Sequence, residues 1–432
     1  MEISELYNIF TEHPVVTTDS RECPEGSIFF ALKGASFNGN AFAKKALEQG
    51  CSYAVVDEKD AAEEGDNRYI LVDDCLNTLQ RLANYHRRRL GTKIIGVTGT
   101  NGKTTTKELL AAVLGEKYNV LYTQGNFNND IGVPKTLLRL TKEHEIAVVE
   151  MGASHPGDIR TLVNIVEPDC GLITNVGKAH LQGFGSFEGV IRTKGELYDY
   201  LREHEGTVFI NGGDVHLMGI SQGLNLVKYG LEGTAGAKVT GEVTACDPYL
   251  NFRWHTDGGQ WHDVHTHIIG SYNIMNMLAA ACVGLNFGVT PEQTDHALAS
   301  YVPKNNRSEL EMTAHNRLII DAYNANPTSM NAALVNFRDM KADRKMAILG
   351  DMGELGAVSA EEHQRVADFL KEAGFDEVWL VGPEFGRTEC GFRKFNNVEE
   401  VEKEIEANRP EGFCILIKGS NSTHLYQLPK LL

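Results

Sequence analysis

The chain has 432 residues, of which 42% are hydrophobic, and a formal net charge of -17 at pH 7. At about 150 residues per domain, this length predicts three domains, and each is long enough to bury a core of its own. The acidic balance argues against a nucleic-acid surface, because such a surface needs clustered positive charge.

The eight cysteines are scattered and include no CxxC pair, which is typical of a reduced intracellular protein without a zinc ribbon or a disulfide framework. The amino terminus lacks the basic start and apolar core of a signal peptide. The longest apolar runs fall far short of the ~20 residues that span a bilayer. We therefore expect a cytoplasmic protein without a membrane span and without a nucleic-acid partner, and we expect a monomer.

The first predicted domain covers residues 1–91. Strand-like runs at 27–32 and 53–56 alternate with helical segments at 41–49 and 76–90. This mixture predicts a small α/β domain, and Gly91 marks the joint with the next one.

A glycine-flanked turn follows the apolar run at 93–95, and residues 96–107 read GVTGTNGKTTTK. Gly99 and Gly102 allow backbone N–H groups to turn towards phosphate oxygens. Lys103 supplies a positive charge for the β- and γ-phosphates, and the Thr104 hydroxyl is suited to Mg²⁺. The helix predicted from Thr104 to about Leu114 directs its positive dipole end at the anion. The pattern predicts a site for a nucleoside triphosphate, formed by Gly99, Thr100, Asn101, Gly102, Lys103, Thr104 and Thr105.

Glu150 follows the apolar run at 146–149, which together with the run at 170–173 is typical of buried parallel strands. Ligands collect at the carboxyl ends of such strands. A carboxylate there can serve as a Mg²⁺ ligand beside the Thr104 hydroxyl. The alternative is that Glu150 caps a helix start before Gly152.

His180 follows the strand predicted at 170–173 and lies at the same edge of the sheet. A single histidine is more often packed or exposed on the surface, but Gly177, Gly183 and Gly185 favour a backbone shaped around a ligand. Lys194 belongs to the next predicted helix, where, taken alone, it reads as a surface lysine.

Four histidines lie within thirteen positions at the end of the central region. The segment from 252 to 268 has a glycine turn at 256–259, which predicts a β-hairpin. We therefore favour a hairpin over a metal site for His255, His262, His265 and His267.

The last region, from about residue 303, alternates short apolar runs with helical segments at 329–338 and 359–372. This alternation predicts a doubly wound sheet, with strands at 318–320, 346–349, 378–381 and 414–417. The predicted fold class is α/β with three domains: a small α/β domain over 1–91, a central P-loop ATPase-type parallel sheet over 92–302, and a Rossmann-like doubly wound sheet over 303–432.

Five further stretches extend these motifs over the chain: TQGNFNNDIGVPKTLL (123–138), EMGASHPGDI (150–159), NVGKAHLQGFGS (175–186), DAYNANPTSM (321–330) and AILGDMGELG (347–356). With TDSRECPEGSIFFALKG at 18–34, the chain resembles the Mur ligases of peptidoglycan assembly over essentially its whole length. The loop GTNGKTT alone is shared with folylpolyglutamate synthase, so it indicates only the superfamily.

The resemblance implies an ATP-dependent, ADP-forming ligase of peptidoglycan synthesis, and hence of cell wall formation, cell shape and division. The stretches at 123–138 and 321–330 favour the branch that joins D-alanyl-D-alanine to UDP-N-acetylmuramoyl-tripeptide through an acyl phosphate. A sibling ligase that adds one amino acid, or a folylpolyglutamate synthase, would share the ATP site. From other classes, a GTPase switch should carry an NKxD motif, which is absent from the sequence, and a non-catalytic nucleotide-binding protein would have no need of Glu150, His180 and Lys194.

The resemblance also implies roles for individual residues. Lys103, Thr104 and Glu150 would hold the phosphates and a first Mg²⁺, His180 would bind a second Mg²⁺, and Lys194 matches a lysine that related ligases carry as a carbamate. With Arg307, which would point towards phosphate, Lys103, Glu150, His180 and Lys194 form the implied catalytic set. The nucleotide would also be approached by Asn273, Asn276 and Asp321, the last towards ribose.

The implied substrate-binding residues lie in three regions of the sequence. They are Ser20, Arg21, Phe30, Gly34, Asn38 and Phe42 for the UDP-sugar, Asn126, Asn128 and Asn129 in the central region, and Tyr323, Asn324 and Asn326 for the amino component. The chain departs from the family pattern at Asn421, where an arginine is expected near the carboxylate of the dipeptide.

Overall fold

The computed structural model describes residues 1–303 and 307–432. These residues form two compact units. The first unit comprises Met1–Val97, Tyr118–Ala153 and Gly157–Gly171, and the second comprises Thr98–Lys117, Ser154–Pro156 and Leu172–Leu432. Within the described ranges, no helix is both long and apolar enough to cross a membrane, and all eight cysteines are free thiols.

The amino-terminal part of the first unit is a four-stranded sheet in the order β1-β2-β3-β4, and all of its pairs are parallel. The strands are β1 (Val16–Thr17), β2 (Ile28–Phe30), β3 (Tyr53–Val56) and β4 (Tyr69–Leu71). The helices are α1 (Ile3–Glu12), α2 (Ala43–Glu48) and α3 (Cys75–Leu90). The Asp74 side chain caps the start of α3, and Gly91, with φ +69°, ends it. The α/β prediction is confirmed for this region.

The helix predicted at 41–49 is shorter than expected. A 3₁₀ turn occupies Gly39–Phe42, and α2 begins only at Ala43. The Asn38 side chain accepts a hydrogen bond from the backbone N–H of Asn40. This local bond favours the tighter turn over a regular helical start.

The largest sheet has nine strands. They are β5 (Lys93–Thr98), β6 (Val120–Tyr122), β7 (Ile146–Glu150), β8 (Cys170–Ile173), β9 (Thr207–Asn211), β10 (Asn225–Leu231), β11 (Val239–Cys246), β12 (Tyr249–Thr256) and β13 (His262–Ile269). In the first unit, β7 pairs in parallel with β5 and β6. In the second unit, β10 pairs in parallel with β9 and β11, whereas β11, β12 and β13 are antiparallel.

Eight helices accompany these strands in the described ranges. They are α4 (Lys103–Gly115), α5 (Gly132–Leu137), α6 (Asp158–Val166), α7 (Leu181–Phe184), α8 (Phe187–Glu203), α9 (Val215–Gly219), α10 (Ile274–Asn286) and α11 (Pro291–Ser300). Helix α10 is buried along most of its length, from Ile274 to Gly284.

The hairpin predicted at 252–268 is confirmed as β12 and β13. Its histidines bind to different neighbours: His255 contacts Glu232, His262 contacts Asp295, and His267 contacts the Ala299 carbonyl. The described part of the chain contains no group of three or more His, Cys, Asp or Glu residues that could hold a metal ion.

The carboxyl-terminal part of the second unit is a six-stranded sheet in the order β14-β15-β19-β16-β17-β18. Its strands are β14 (Glu309–Met312), β15 (Arg317–Asp321), β16 (Lys345–Gly350), β17 (Glu377–Val381), β18 (Arg393–Phe395) and β19 (Cys414–Lys418). Only the β14–β15 pair is antiparallel within this sheet. Its helices are α12 (Pro327–Asp339), α13 (Ser359–Glu372), α14 (Pro383–Gly386) and α15 (Val398–Ala407).

Alternate residues of the central strands enter two separate apolar cores. Ile319, Leu349 and Leu416 belong to one core, whereas Leu318, Ile348 and Ile417 belong to the other. Because successive side chains of a strand point to opposite faces, the sheet is covered on both sides. The prediction of a doubly wound sheet is confirmed.

Candidate active site

The turn between β5 and α4 has a backbone that glycine alone fits well. Gly99 has φ +144° and Gly102 has φ +77°. A Cβ at Gly99 would lie 2.0 Å from Thr174 Oγ1, and a Cβ at Gly102 would lie 2.7 Å from Asn276 Oδ1. Positive φ combined with this crowding explains both glycines. The turn leads directly into the amino terminus of α4, the geometry that favours a bound phosphate.

The residues after β8 hold this turn in place. The backbone N–H of Thr100 donates to the Asn175 carbonyl at 2.9 Å, and that of Asn101 donates to Asn175 Oδ1 at 3.0 Å. The Asn101 carbonyl accepts bonds from Thr174 Oγ1 at 2.6 Å and from Asn175 Nδ2 at 2.9 Å. The sequence analysis did not predict that Thr174 and Asn175 bond to the phosphate loop. Their position directly after a buried strand is the feature of the sequence that points to this role.

Lys103 opens α4 and turns back over the loop. Its Nζ donates to the carbonyls of Gly99 and Thr100, at 2.9 Å in each case. The ammonium group is therefore held beside the glycine-flanked turn, where it can meet phosphate oxygens. Thr104, the next residue, is buried, with 6% of its surface exposed.

Asn273 and Asn276 are connected to the first turn of α4 by a chain of hydrogen bonds. Thr106 Oγ1 donates to Asn276 Oδ1 at 3.1 Å, Asn276 Nδ2 donates to Asn273 Oδ1 at 2.8 Å, and Asn273 Nδ2 donates to the Ile269 carbonyl at 2.8 Å. Both asparagines thus have structural bonds at the predicted nucleotide site, and Asn273 also lines the cleft beside it.

A cleft in the second unit brings several predicted residues together. It combines Thr104 and Thr105 of α4 with Asn273 and Arg307, and it is lined by Thr104, Thr105, Glu108, Ile268, Asn273, Tyr301, Pro303, Arg307 and Ser308. Most of its lining residues are polar or charged, and it lies beside Thr104 and Thr105 at the start of α4.

Arg307 and Asp321 have neighbours within the carboxyl-terminal part of the chain. The Arg307 guanidinium lies 4.0 Å from the centroid of the Tyr323 ring. Asp321 pairs with Lys418, whose Nζ is 2.6 Å from Asp321 Oδ2 and 3.3 Å from the Asn324 carbonyl. Lys418, which sequence reasoning left without a role, is almost fully buried at the end of β19.

His180 lies before α7 with φ +50°, and its Nδ1 contacts the Glu354 carboxylate. Burial is the largest cause of the lowered pKa of His180; the Lys103 and Lys194 charges lower it further, and Glu354 acts in the opposite direction. A neutral imidazole is the form that coordinates metals. Sequence reasoning missed Glu354, which lies in the loop after β16.

Lys194 is not the surface residue that its position alone suggested. It is 2% exposed, and its Nζ lies 5.5 Å from the centroid of the Phe184 ring. Burial of an ammonium group is costly, so this lysine needs compensating chemistry around it.

In the first unit, Glu150 ends β7 and is 1% exposed. Asn128 Nδ2 donates to Glu150 Oε1 at 2.8 Å, so the amide of Asn128, expected to bind substrate, orients the carboxylate. Asn129 Oδ1 accepts from the Gly132 N–H at 2.8 Å, at the start of α5, and Asn126 is exposed.

The predicted UDP-sugar residues differ in their environments. Arg21 is exposed and pairs with Asp19, next to Ser20. The Asn38 amide donates to the Glu58 carboxylate. The backbone of Gly34 lies close to the exposed ring of Phe37. Phe42 is 41% exposed. Phe30 is fully buried, so its side chain is a core residue of the four-stranded sheet and is not available on the surface of the unit.

Of the amino-component residues, Asn324 is exposed, whereas Asn326 is buried and caps α12. Asn326 Nδ2 donates to Asn101 Oδ1 at 2.7 Å, which ties it to the phosphate loop. Asn421, at the position of the expected arginine, begins a 3₁₀ turn and is exposed.

Comparison with known proteins gives matches along most of the chain. Residues 14–87 match the Mur ligase family catalytic domain, residues 97–284 the Mur ligase middle domain, and residues 306–421 the glutamate ligase domain of Mur ligases. The chain is 35% identical to the UDP-N-acetylmuramoyl-tripeptide--D-alanyl-D-alanine ligase of Bacillus subtilis, over 96% of this chain and 92% of that relative. It is 35% identical to the Escherichia coli ligase of the same name, over 85% and 81%.

Solved structures agree with these relatives. MurF from Acinetobacter baumannii superposes with a TM-score of 0.86 at 32% identity, covering 96% of this chain and 92% of that one. MurF from Thermotoga maritima in complex with ADP gives a TM-score of 0.86 at 27% identity, covering 98% and 97%. The chain belongs to the Mur ligase family.

Proposed function

We propose that the chain joins D-alanyl-D-alanine to UDP-N-acetylmuramoyl-tripeptide at the expense of ATP. The observation that carries this proposal is the 35% identity across 92% of the Bacillus subtilis ligase of that name. The reaction would supply a peptidoglycan precursor in the cytoplasm. The domain limits of 1–91, 92–302 and 303–432 belong to the same proposal, with the UDP-sugar, ATP and the amino component bound chiefly by the first, second and third domain.

The chemistry proceeds in two steps. A carboxylate oxygen of the tripeptide attacks the γ-phosphorus of ATP, the bond to ADP breaks, and an acyl phosphate forms. The amine of the dipeptide then attacks the acyl carbon and loses a proton. The tetrahedral intermediate collapses to an amide and inorganic phosphate.

Positive charge must gather where these anions meet, because carboxylate and triphosphate repel each other. Lys103, held at the phosphate loop by the carbonyls of Gly99 and Thr100, supplies one charge. Arg307, in the cleft with Thr105, supplies another. Both act by positioning and by stabilising developing charge, as is general for phosphoryl transfer.

The donor groups fit Mg²⁺. The Thr104 hydroxyl and the Glu150 carboxylate are oxygen donors of the kind Mg²⁺ takes, and Asn128 orients Glu150. We propose these two residues for a first ion and His180, whose lowered pKa favours the neutral ring, for a second. When bound, Mg²⁺ neutralises charge on the phosphates and polarises them.

Burial of Lys194 supports its modification to a carbamate. The ammonium group would first lose a proton, and the neutral amine would then add CO₂ and release a second proton to form the carbamate. A buried cation would thus be replaced by an anion that can orient metal ligands. In ¹³CO₂-equilibrated enzyme we expect a carbamate carbon signal by NMR that is absent from Lys194→Arg. No such signal in the unsubstituted enzyme, or an equal signal in the variant, would contradict the modification.

Phosphate release from ATP tests the proposed function. The reaction should require both the UDP-muramoyl-tripeptide and D-alanyl-D-alanine, and a panel of single amino acids should not replace the dipeptide. Lys103→Met serves as the control for contaminating ATPase activity. Release with a single amino acid would assign the chain to a sibling ligase, and no release with any acceptor would reject the proposal.

A further inference from the structure

Asn326 has its side-chain polar atoms bonded within the protein. It is 4% exposed. Its Oδ1 accepts a hydrogen bond from the Ser329 N–H at 2.9 Å, which caps α12. Its Nδ2 donates to Asn101 Oδ1 at 2.7 Å, and a longer contact of 3.4 Å joins Asn101 Nδ2 to Asn326 Oδ1. A buried amide engaged in this way is poorly placed to recognise a dipeptide.

Asn101 is the phosphate-loop residue directly before Gly102. Its backbone N–H and carbonyl are bonded to Asn175, so its backbone is fixed from one side. The bond from Asn326 fixes its side chain from the other. Since the loop would bind phosphate through its backbone N–H groups, the position of Asn101 affects the geometry of the whole cradle.

The start of α12 lies close to Gly177, which is bonded to the phosphate loop. A Cβ on Gly177 would lie 3.0 Å from Thr328 Oγ1, and Gly177 itself donates to Thr100 Oγ1 at 2.9 Å. Helix α12 is anchored in the apolar core of the carboxyl-terminal sheet by Met330, Leu334 and Phe337. Asn326 therefore links a rigid helix to the phosphate loop.

We propose that Asn326 is a positioning residue that holds the phosphate loop through Asn101, and that it does not contact the amino component. The inference rests on the proposed function, because it takes ATP and D-alanyl-D-alanine as the substrates. Substitution of Asn326 is therefore expected to weaken the binding of ATP. The family resemblance instead connects the stretch that contains this residue with the dipeptide.

Asn326→Ser separates the cap of α12 from the contacts with Asn101. Serine is a good helix N-cap, so the cap of α12 is retained, but its short side chain does not reach Asn101. We expect the KM for ATP to rise by about three- to tenfold, the range for one lost hydrogen bond. The KM for D-alanyl-D-alanine and the melting temperature should stay near those of the unsubstituted enzyme.

A double-mutant cycle tests the route of the effect. In an Asn101→Ala background, Asn326→Ser should have no further effect on the KM for ATP, because the bond is already absent. Asn397→Ser is the matched control: Asn397 also caps a helix, by accepting from the Glu400 N–H at 3.1 Å, and it is exposed. This control should leave both KM values unchanged.

Calorimetric titration with ATP keeps the two proposals separate, because it needs no acceptor substrate. An enzyme that binds ATP but does not turn over the dipeptide would contradict the proposed function alone. Asn326→Ser that binds ATP as tightly as the unsubstituted enzyme would overturn the positioning role. So would a raised KM confined to the dipeptide, or effects of Asn101→Ala and Asn326→Ser that multiply.

Discussion

At the scale of single residues, the phosphate loop depends on backbone conformations that side chains cannot adopt freely. Gly102 has φ +77°, and a Cβ there would lie 2.7 Å from Asn276 Oδ1. We expect Gly102→Ala to lower the free energy of unfolding by about 1–2 kcal/mol through left-handed strain. Displacement of the loop should lower kcat/KM for ATP on the order of 100-fold, measured in the phosphate-release assay.

Gly258→Ala is the matched control for that substitution. Gly258 has φ +67° and open space around its Cα, and it lies in the turn between β12 and β13. The variant should show the loss of stability that comes from left-handed strain alone, with unchanged kinetics for ATP. Equal kinetic losses in both variants would mean that general destabilisation, and not the loop, limits turnover.

Burial of His86 is expected to make the stability of the fold depend on pH. Burial is the main cause of the lowered pKa of His86, from an ordinary value of 6.5, and its bond to the Leu140 carbonyl acts the other way. Because the unfolded chain then binds the proton more tightly, stability is lost as the pH falls below about 6.5. His86→Gln should show a smaller drop in melting temperature between about pH 7.5 and about pH 5.5.

The control for His86→Gln is the same change at His265, an exposed histidine of β13. His265→Gln should keep the full acid-induced drop of the unsubstituted protein. If His86→Gln kept it as well, burial of that imidazole would not contribute to the acid sensitivity of the fold.

From the residue pattern alone, roles were predictable where neighbours in the chain are also neighbours in the site, whereas Asn273 and Arg307, which line the cleft with Thr104, were expected there only through the family resemblance. The pattern of Gly99, Gly102, Lys103 and Thr104 predicted the phosphate site because these residues are adjacent in the chain. The partners Lys418 and Asp321 are separated by 97 positions, and the His180–Glu354 contact also joins distant segments. The resemblance predicts Phe30 at the UDP-sugar, whereas all three residues of β2, Phe30 among them, are buried.

At the scale of elements, the predicted strands at 146–149, 170–173, 318–320 and 414–417 lie within observed strands. Short apolar runs bounded by turns carry this information because buried parallel strands need apolar residues on both faces. The boundary at 41–49 was less predictable, since a 3₁₀ turn precedes the helix and the Asn38 side chain favours that turn by accepting from the Asn40 N–H.

The β12–β13 hairpin and α11 share a buried polar contact that can be tested. Trp254 is fully buried, and its Nε1 donates to Asp295 Oδ1 at 2.7 Å. Trp254→Phe removes the donor and leaves the carboxylate with one bond fewer. We expect a loss of about 1–3 kcal/mol in the free energy of unfolding, measured by denaturant titration.

Tryptophan at position 261 provides the comparison for that prediction. Trp261 is 39% exposed and lies against the Arg253 guanidinium. Trp261→Phe should change stability by less than about 0.5 kcal/mol, as surface substitutions usually do. Equal losses for the two variants would show that the bond to Asp295 is not the source of the effect.

At the scale of the whole molecule, length and the alternation of strands and helices led to a three-domain α/β chain, and the three family matches agree with that organisation. The described residues themselves cluster into two compact units, so the exact domain limits remain predictions. The sequence predicted a parallel central sheet and a hairpin at 252–268. It did not predict that β11, β12 and β13 form an antiparallel part of that sheet.

In the proposed reaction, one chain transfers phosphate from ATP to a carboxylate and then passes the acyl group to a dipeptide amine. The most direct measurement uses UDP-muramoyl-tripeptide labelled with ¹⁸O in its terminal carboxylate, with mass analysis of the phosphate and of the peptide product. We expect ¹⁸O in the released phosphate only when D-alanyl-D-alanine is joined to the tripeptide. Product formation with unlabelled phosphate, or phosphate release without the dipeptide product, would contradict it.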